Sequence, residues 1–189
     1  MAKEEFPAPH FPNKYNVIGA DLSLRRPGFC IIQMVDGKIN WIHLVSVDNK
    51  GKKKTHGRIL SEIYDTFYYD VLDNVNGNDM MYLVREKEIM HMKIPSERDV
   101  TKVVGIMDYI SNDLHEQYNP DTHEGFWRDI YPVTVKKQIT GSGKATKEEV
   151  AEALVKYVGK LNYKCDDESD ATAVAVAWLI QQGQIKEKK

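Results

Sequence analysis

The chain opens with apolar residues at strand spacing. Asn16–Asp21 reads as a strand running into an acidic residue, and Gly28–Val35, rich in branched and aromatic residues, as a second. Asp36-Gly37 is the strongest two-residue hairpin signal and returns the chain into a third strand, Lys38–Val45. The polar stretch 46–56 is a lysine-rich loop. From Gly57 to Leu72 the period lengthens, with Leu60, Ile63, Tyr64, Phe67 and Val71 at helical spacing. The cluster at 73–79 (DNVNGND) breaks that helix. Met80–Glu86 is a compact apolar run, a fourth, buried strand that ends on Glu86.

A loop through Pro95 leads to a helix over 96–116, with Asp99 three residues after Ser96 as a variant capping box and Val103, Ile106, Met107 and Ile110 as its apolar face. Residues 121–124 are loop. Ile130–Val135 reads as a fifth strand, with Pro132 placing it at an edge or strand start. Thr146 and Glu149 form a second capping box before Val150, Leu154, Tyr157 and Leu161. A last helix runs from about Asp167 to Gln182, where Gly183 stops it. The predicted order is β-β-β-α-β-α-β-α-α. It implies an α/β fold whose mixed five-stranded sheet joins a three-strand antiparallel meander to two parallel strands, covered by helices. Residues 1–14, with three prolines, are an arm; 15–183 form one domain; 184–189 are a basic tail.

Composition changes this picture little. With 189 residues, 42% hydrophobic and 29% charged, the chain is an ordinary globular domain. Its longest apolar run, Ala171–Ile180, is about half a membrane span, so no membrane segment is expected. The N-terminus shows no basic-then-apolar signal pattern, so a cytoplasmic location is expected. Cys30 and Cys165 read as two reduced, buried thiols. The net charge of −2 hides segregation: Lys50, Lys52, Lys53, Lys54 and Arg58 form one basic stretch, and Lys136, Lys137, Lys144 and Lys147 another. An acidic cluster elsewhere cancels them in the total while leaving basic surfaces for a nucleic acid.

That acidic cluster is assembled from element ends. Asp21 ends the first strand, Glu86 ends the fourth, and Asp167 and Asp170 open the last helix on one face. If they converge above the sheet, they need cations, and hard divalent ions suit oxygen ligands. Two such ions activate water and stabilise the leaving oxygen in phosphodiester hydrolysis. Each residue also has an ordinary reading: a turn aspartate, a solvated charge beside Lys87, helix N-terminal charges. Asp166 and Glu168 compete with their neighbours, and spacing alone does not choose.

The neighbouring residues narrow the choice. Residues 18–32 (IGADLSLRRPGFCII) resemble the first hairpin of the RuvC family of Holliday-junction resolvases, which has an RNase H-like fold. The strand at 82–88 (YLVREKE) resembles the family strand that ends in a metal-binding Glu. Residues 135–150 (VKKQITGSGKATKEEV) resemble its Val-Lys-Lys segment, Gly-x-Gly loop and following helix start, and 167–175 (DESDATAVA) its closing Asp-x-x-Asp-Ala segment. All four occur in family order. The resemblance implies that Asp21, Glu86, Asp167 and Asp170 bind two Mg²⁺ ions, with Mn²⁺ able to substitute, and that Lys136 and Lys147 lie near the scissile phosphate, Lys147 as part of the catalytic set. It implies nicking of branched DNA, above all four-way junctions, by a homodimer joined through the 96–116 helix, with a branch-migration motor left as an open partner. Arg25, Lys137, Lys144 and the lysines at 52, 53 and 54 are expected to face DNA. Ile89 stands where the family tends to carry an aromatic that probes the junction centre. Leu22-Ser23 after Asp21, the lysine-rich loop and the N-terminal arm fit a divergent branch, such as a phage-encoded one acting in host cytoplasm.

Three rivals are weighed against this: a flap or fork endonuclease of the same fold, a branched-DNA binding protein that does not cut, and an actin-like ATPase, for which the chain is short. Gly141-Ser142-Gly143-Lys144 is not a nucleotide P-loop, since Gln138 and Ala145 stand where Gly and Ser or Thr are needed; its glycines are expected to bring a backbone loop to DNA. The histidines, His91 included, show no metal spacing, and Phe126 and Trp127 read as core or interface.

Overall fold

The structure, a computed structural model, describes residues 11–49, 54–75, 79–87, 95–118 and 127–187, with side chains 99–114 described in the fourth of these stretches. Strands β1 (Lys14–Asp21), β2 (Gly28–Val35) and β3 (Lys38–Ser46) form the antiparallel meander. Asp36 and Gly37 both have positive φ, 48° and 72°, the conformation a two-residue hairpin turn requires. Strands β4 (Met80–Glu86) and β5 (Trp127–Ile130) add in parallel, giving the sheet order β3-β2-β1-β4-β5. The five-stranded mixed sheet expected from the sequence is the one observed.

Helices cover both faces, which is why β1, β2 and β4 are nearly continuous apolar runs. On one face Ile18, Ala20, Phe29, Ile31 and Leu83 pack under α1 (His56–Thr66) and α2 (Pro95–Tyr118), against Ile59, Ile63, Val103, Met107 and Ile110. Helix α1 runs on through a π turn, Phe67–Val71, and a short 3₁₀ turn, Leu72–Asn74. Trp127 belongs to this side, where its indole N–H donates to the Met107 carbonyl at 2.9 Å; Phe126 lies outside the described residues. On the other face Tyr15, Val17, Ile32, Tyr82 and Val84 meet α5 (Asp166–Gln181), with α3 (Pro132–Thr140) and α4 (Lys147–Val158) outside it. Residues 171–179 of α5 are all buried, as expected of a helix that is apolar all round. Cys30 is buried, Cys165 is half buried and both are free. No helix among the described residues is long and apolar enough to cross a membrane.

The fifth strand is a correction. It ends at Ile130, and residues 132–140 are a helix rather than the strand expected at 130–135. Pro132 occupies the first helical turn, where its fixed φ is favourable and its missing N–H costs nothing. It also holds Tyr131 extended at ψ 142°, which ends the strand. The branched run Val133-Thr134-Val135 looks like a strand, but Val135 and Ile139, one helical turn apart, are the buried pair. The true order therefore carries one more helix than expected.

Candidate active site

The site forms where chain ends meet. β1 and β4 are parallel neighbours, and their register pairs Ala20 with Arg85, so Asp21 and Glu86 follow at adjacent strand ends. Asp21 also lies opposite Gly28 on β2. Over this corner α5 sets its first turn, carrying Asp167 and Asp170. Two glycines let the helix come that close. A Cβ on Gly28 would stand 2.3 Å from the Asp167 carbonyl oxygen, and one on Gly19 would stand 2.4 Å from that of Ala171. Any side chain at either position would lift α5 off the sheet.

Asp21, Glu86, Asp170, Lys136 and Lys147 line one cleft of about 250 Å³, walled by Pro132, Val135, Val150, Ala173 and Val174. Asp167 stands beside it, acting electrostatically on both Asp21 and Lys147. Burial, then the charges of Asp170, Asp167 and Glu86, push the Asp21 carboxyl up to about 7, with only Lys147 opposing. Glu86 is raised by its loss of solvent and by Asp170, against Lys147 and Lys136. The Lys147 ammonium donates to Asp170 and is held above the ordinary lysine range by that bond. Among the described residues, no three histidine, cysteine, aspartate or glutamate side chains stand ready to hold a metal ion as a group; lysine counters the charge instead.

The structure separates the competing carboxylates of α5. Glu168 is fully buried and turned away from the cleft, accepting from the Ser46 hydroxyl at 2.7 Å and the Lys164 N–H at 2.8 Å. It pins the helix start to β3. Asp166 is exposed. Asp21 is influenced by Asp170, Asp167 and Glu86, and Glu86 by Asp170.

The basic residues divide. Lys136 and Lys147 reach the cleft. Lys137 is exposed on α3, and Lys144 lines a separate groove with Thr140, Ser142, Glu149 and Lys156. Lys54 is half buried and paired with Glu62, so it braces α1. Arg25 is exposed and influences Asp99 on α2. Its neighbour Arg26, not singled out from sequence, has its Nε 3.9 Å from Asp167 and Nη2 3.9 Å from Asp48. No periodicity in a loop distinguishes one arginine from the next. Lys50, Lys52, Lys53, Ile89 and His91 lie outside the described residues. The two glycines of the 141–143 loop have local work: Gly141 caps α3 at φ 82°, and a Cβ on Gly143 would meet Val133 Cγ1 at 2.7 Å.

Comparison with known proteins bears on this corner directly. The family model for crossover junction endodeoxyribonuclease RuvC matches residues 124–178, which span β5 to α5. The RuvC crossover junction endodeoxyribonuclease of Ehrlichia ruminantium (strain Welgevonden) is 32% identical over 169 residues, covering 87% of this chain and 96% of the relative. That of Sulfurovum sp. (strain NBC37-1) is 28% identical over 171 residues, covering 87% and 94%. In fold, the chain is similar to Thermus thermophilus RuvC solved in complex with a Holliday junction substrate, at TM-score 0.69 and 18% identity over 92% of this chain and 99% of that one. It is also similar to the yeast mitochondrial Holliday junction resolvase Ydc2, at TM-score 0.58 and 16% identity, covering 94% and 82%.

Proposed function

This chain belongs to the RuvC family of crossover junction endodeoxyribonucleases, and from that membership we propose that it resolves four-way DNA junctions by paired, symmetric nicks, using Asp21, Glu86, Asp167 and Asp170 as its metal-binding set. The observation that carries the site assignment is the single cleft in which strand-end and helix-start carboxylates meet two lysines.

The family is metal-dependent, and these residues fit hard divalent cations on two counts. Their donors are all carboxylate oxygens. The Asp21 carboxyl is pushed up to about 7 by burial first and then by Asp170, Asp167 and Glu86, with Lys147 alone opposing, so a cation there would relieve both the lost solvation and the like charge. We assign two Mg²⁺ ions to the site, with Mn²⁺ able to substitute; when bound, they supply charge neutralisation at the scissile phosphate and a lowered pKa for the attacking water. Lys147, kept charged by Asp170, stands where it would also face an incoming phosphate and offset charge developing on it. Lys136 takes the same part from the Glu86 side. The apolar walls, Pro132, Val135, Val150, Ala173 and Val174, limit bulk water and so strengthen each of these interactions.

Paired nicks on a near-symmetric junction call for two identical sites, so the proposal includes a C2 homodimer, joined through α2. Tyr109 on that helix is 61% exposed, an apolar surface available to a partner. The deciding experiment is Mg²⁺-dependent cleavage of a synthetic four-way junction beside linear duplex, flap and fork, with Asp170→Asn in parallel and light scattering of the complex. Symmetric nicks confined to the junction, two chains per junction and a rate lower by about 10²–10³ in Asp170→Asn are expected. Preferred cutting of flaps, or binding without cutting in either Mg²⁺ or Mn²⁺, would overturn the assignment.

A further inference from the structure

The rim of the cleft carries a feature that the metal chemistry does not use. Tyr131 caps the N-terminus of α3, directly between Ile130, which ends β5, and Pro132, which lines the cleft. Tyr131 is 54% exposed. Single apolar residues in water are ordinary. Here, however, Tyr131 directly precedes Pro132 in the wall of a cleft crowded with carboxylates, which places it at the lip. Lys87 stands beside it, its ammonium 5.1 Å from the centre of the Tyr131 ring. Lys87 immediately follows Glu86, and its backbone N–H donates to the Ile130 carbonyl at 2.8 Å. The ring and the cation are therefore both anchored to the strand ends that build the site, so their position relative to it is set.

We propose that Tyr131, backed by Lys87, is a stacking platform for an unpaired nucleobase of the bound DNA beside the scissile phosphate. An aromatic face accepts any base, which suits a recognition element without sequence preference. The cation next to it matches the strand's phosphates, and with Lys136 and Lys147 it gives the rim the positive charge that the cleft floor lacks. In a linear duplex the bases remain stacked on one another and their faces are closed to a protein ring, whereas bases at a branch centre are free to leave the stack. The platform therefore favours branched DNA over duplex. This inference rests on the junction-nuclease reading and names where a base of the cut strand is held.

The test uses the full chain in Mg²⁺-free buffer with four-way junctions carrying 2-aminopurine at each branch-point position in turn. Wild type should quench the fluorescence at one position. Tyr131→Phe should keep that quenching. Tyr131→Ala should lose it, bind the junction about tenfold more weakly and bind linear duplex unchanged. Lys87→Met should fall between them. With Mg²⁺ restored, Tyr131→Ala should raise KM for the junction more than it lowers kcat. The platform is overturned if no position is quenched by wild type, if Tyr131→Ala matches wild type, or if Tyr131→Phe falls as far as Tyr131→Ala, which would make the hydroxyl the contact. Wild type that cuts junctions while Tyr131→Ala is indistinguishable from it removes the platform alone; wild type that neither binds nor cuts any branched DNA removes the junction reading and the platform with it.

Discussion

Two groups of charges on this molecule are built from the same residue types and end in opposite states. On the α1–α2 face, Glu62 accepts from Lys54 and from Arg58, and Asp99 accepts from Lys102 at 2.9 Å with His56 3.6 Å away. Each acid has a cation to itself, and both are held below the ordinary carboxylate range. In the cleft, four acids share Lys147, Lys136 and, at the edge, Arg26, and Asp21 and Glu86 are raised instead, by burial first and then by the neighbouring carboxylates. The first group is balanced in water and asks for nothing. The second is short of positive charge, and the fold maintains that shortage by seating the helix start on the strand ends. A surplus of like charge that the backbone enforces marks a place for a ligand of opposite charge; a set of surface pairs does not.

The largest test of that contrast is Gly28→Ala. The added methyl needs space now held by the Asp167 carbonyl, so α5 must shift, at a cost of roughly 1–3 kcal/mol. Thermal melting should fall by several degrees, and Mg²⁺ should restore less stability to the variant than to wild type, because the carboxylates are then farther apart. Unchanged melting and unchanged Mg²⁺ response would mean that close seating of α5 does not create the cluster.

Next is the response of the metal-free protein to pH. Asp21 has a folded pKa of about 7, above its unfolded value near the ordinary 3.8. The folded state therefore binds its proton more tightly, so this contribution to stability is fully present below the unfolded pKa and is lost as pH rises through about 7. Glu62 and Asp99, lowered by their cations, act in the reverse sense: their contribution is present above the unfolded pKa and is lost as pH falls through the folded one. Asp21→Asn should remove the loss between pH 4 and 7 and raise stability at pH 8 by on the order of 1 kcal/mol, after discounting for solvent. Melting curves across pH, without metal, check this; a wild-type curve parallel to that of Asp21→Asn would sink it.

How far these two groups can be read from sequence differs for physical reasons. The strand ends are legible because buried parallel strands leave long apolar runs, and Asp21 and Glu86 stand where those runs stop. The capping box at Thr146 and Glu149 is legible too, and both of its hydrogen bonds are present. Choosing among Asp166, Asp167, Glu168 and Asp170 is not a local matter. It depends on Ser46, 122 residues away, which engages Glu168 and fixes which face of α5 looks into the cleft. The same limit hides the brace between Lys54 and Glu62, so that a lysine expected on DNA is engaged by the helix that follows it. Helix α3 was obscured by a genuine conflict: three branched residues favour a strand, while Pro132 and the Val135–Ile139 spacing favour a helix, and packing under α5 decides.

The smallest expected effect comes from the balanced group. Glu62→Gln removes the acid that Lys54 and Arg58 share. Surface pairs of this kind, half buried at Lys54 and exposed at Arg58, contribute little, because water still screens them and long side chains lose freedom in forming them, so melting should move by about 1–2 °C. Mg²⁺-induced stabilisation should be unaltered, since nothing in the cleft depends on this acid. The useful part is salt. Raising ionic strength should erase what difference remains on the α1–α2 face, yet it should relieve the repulsion among Asp21, Glu86 and Asp170 and so raise the stability of the metal-free wild type. If Glu62→Gln instead changed the Mg²⁺ response as much as Asp21→Asn does, the division between a satisfied surface and an unsatisfied cleft would fail, and the two groups would have to be treated as one coupled field.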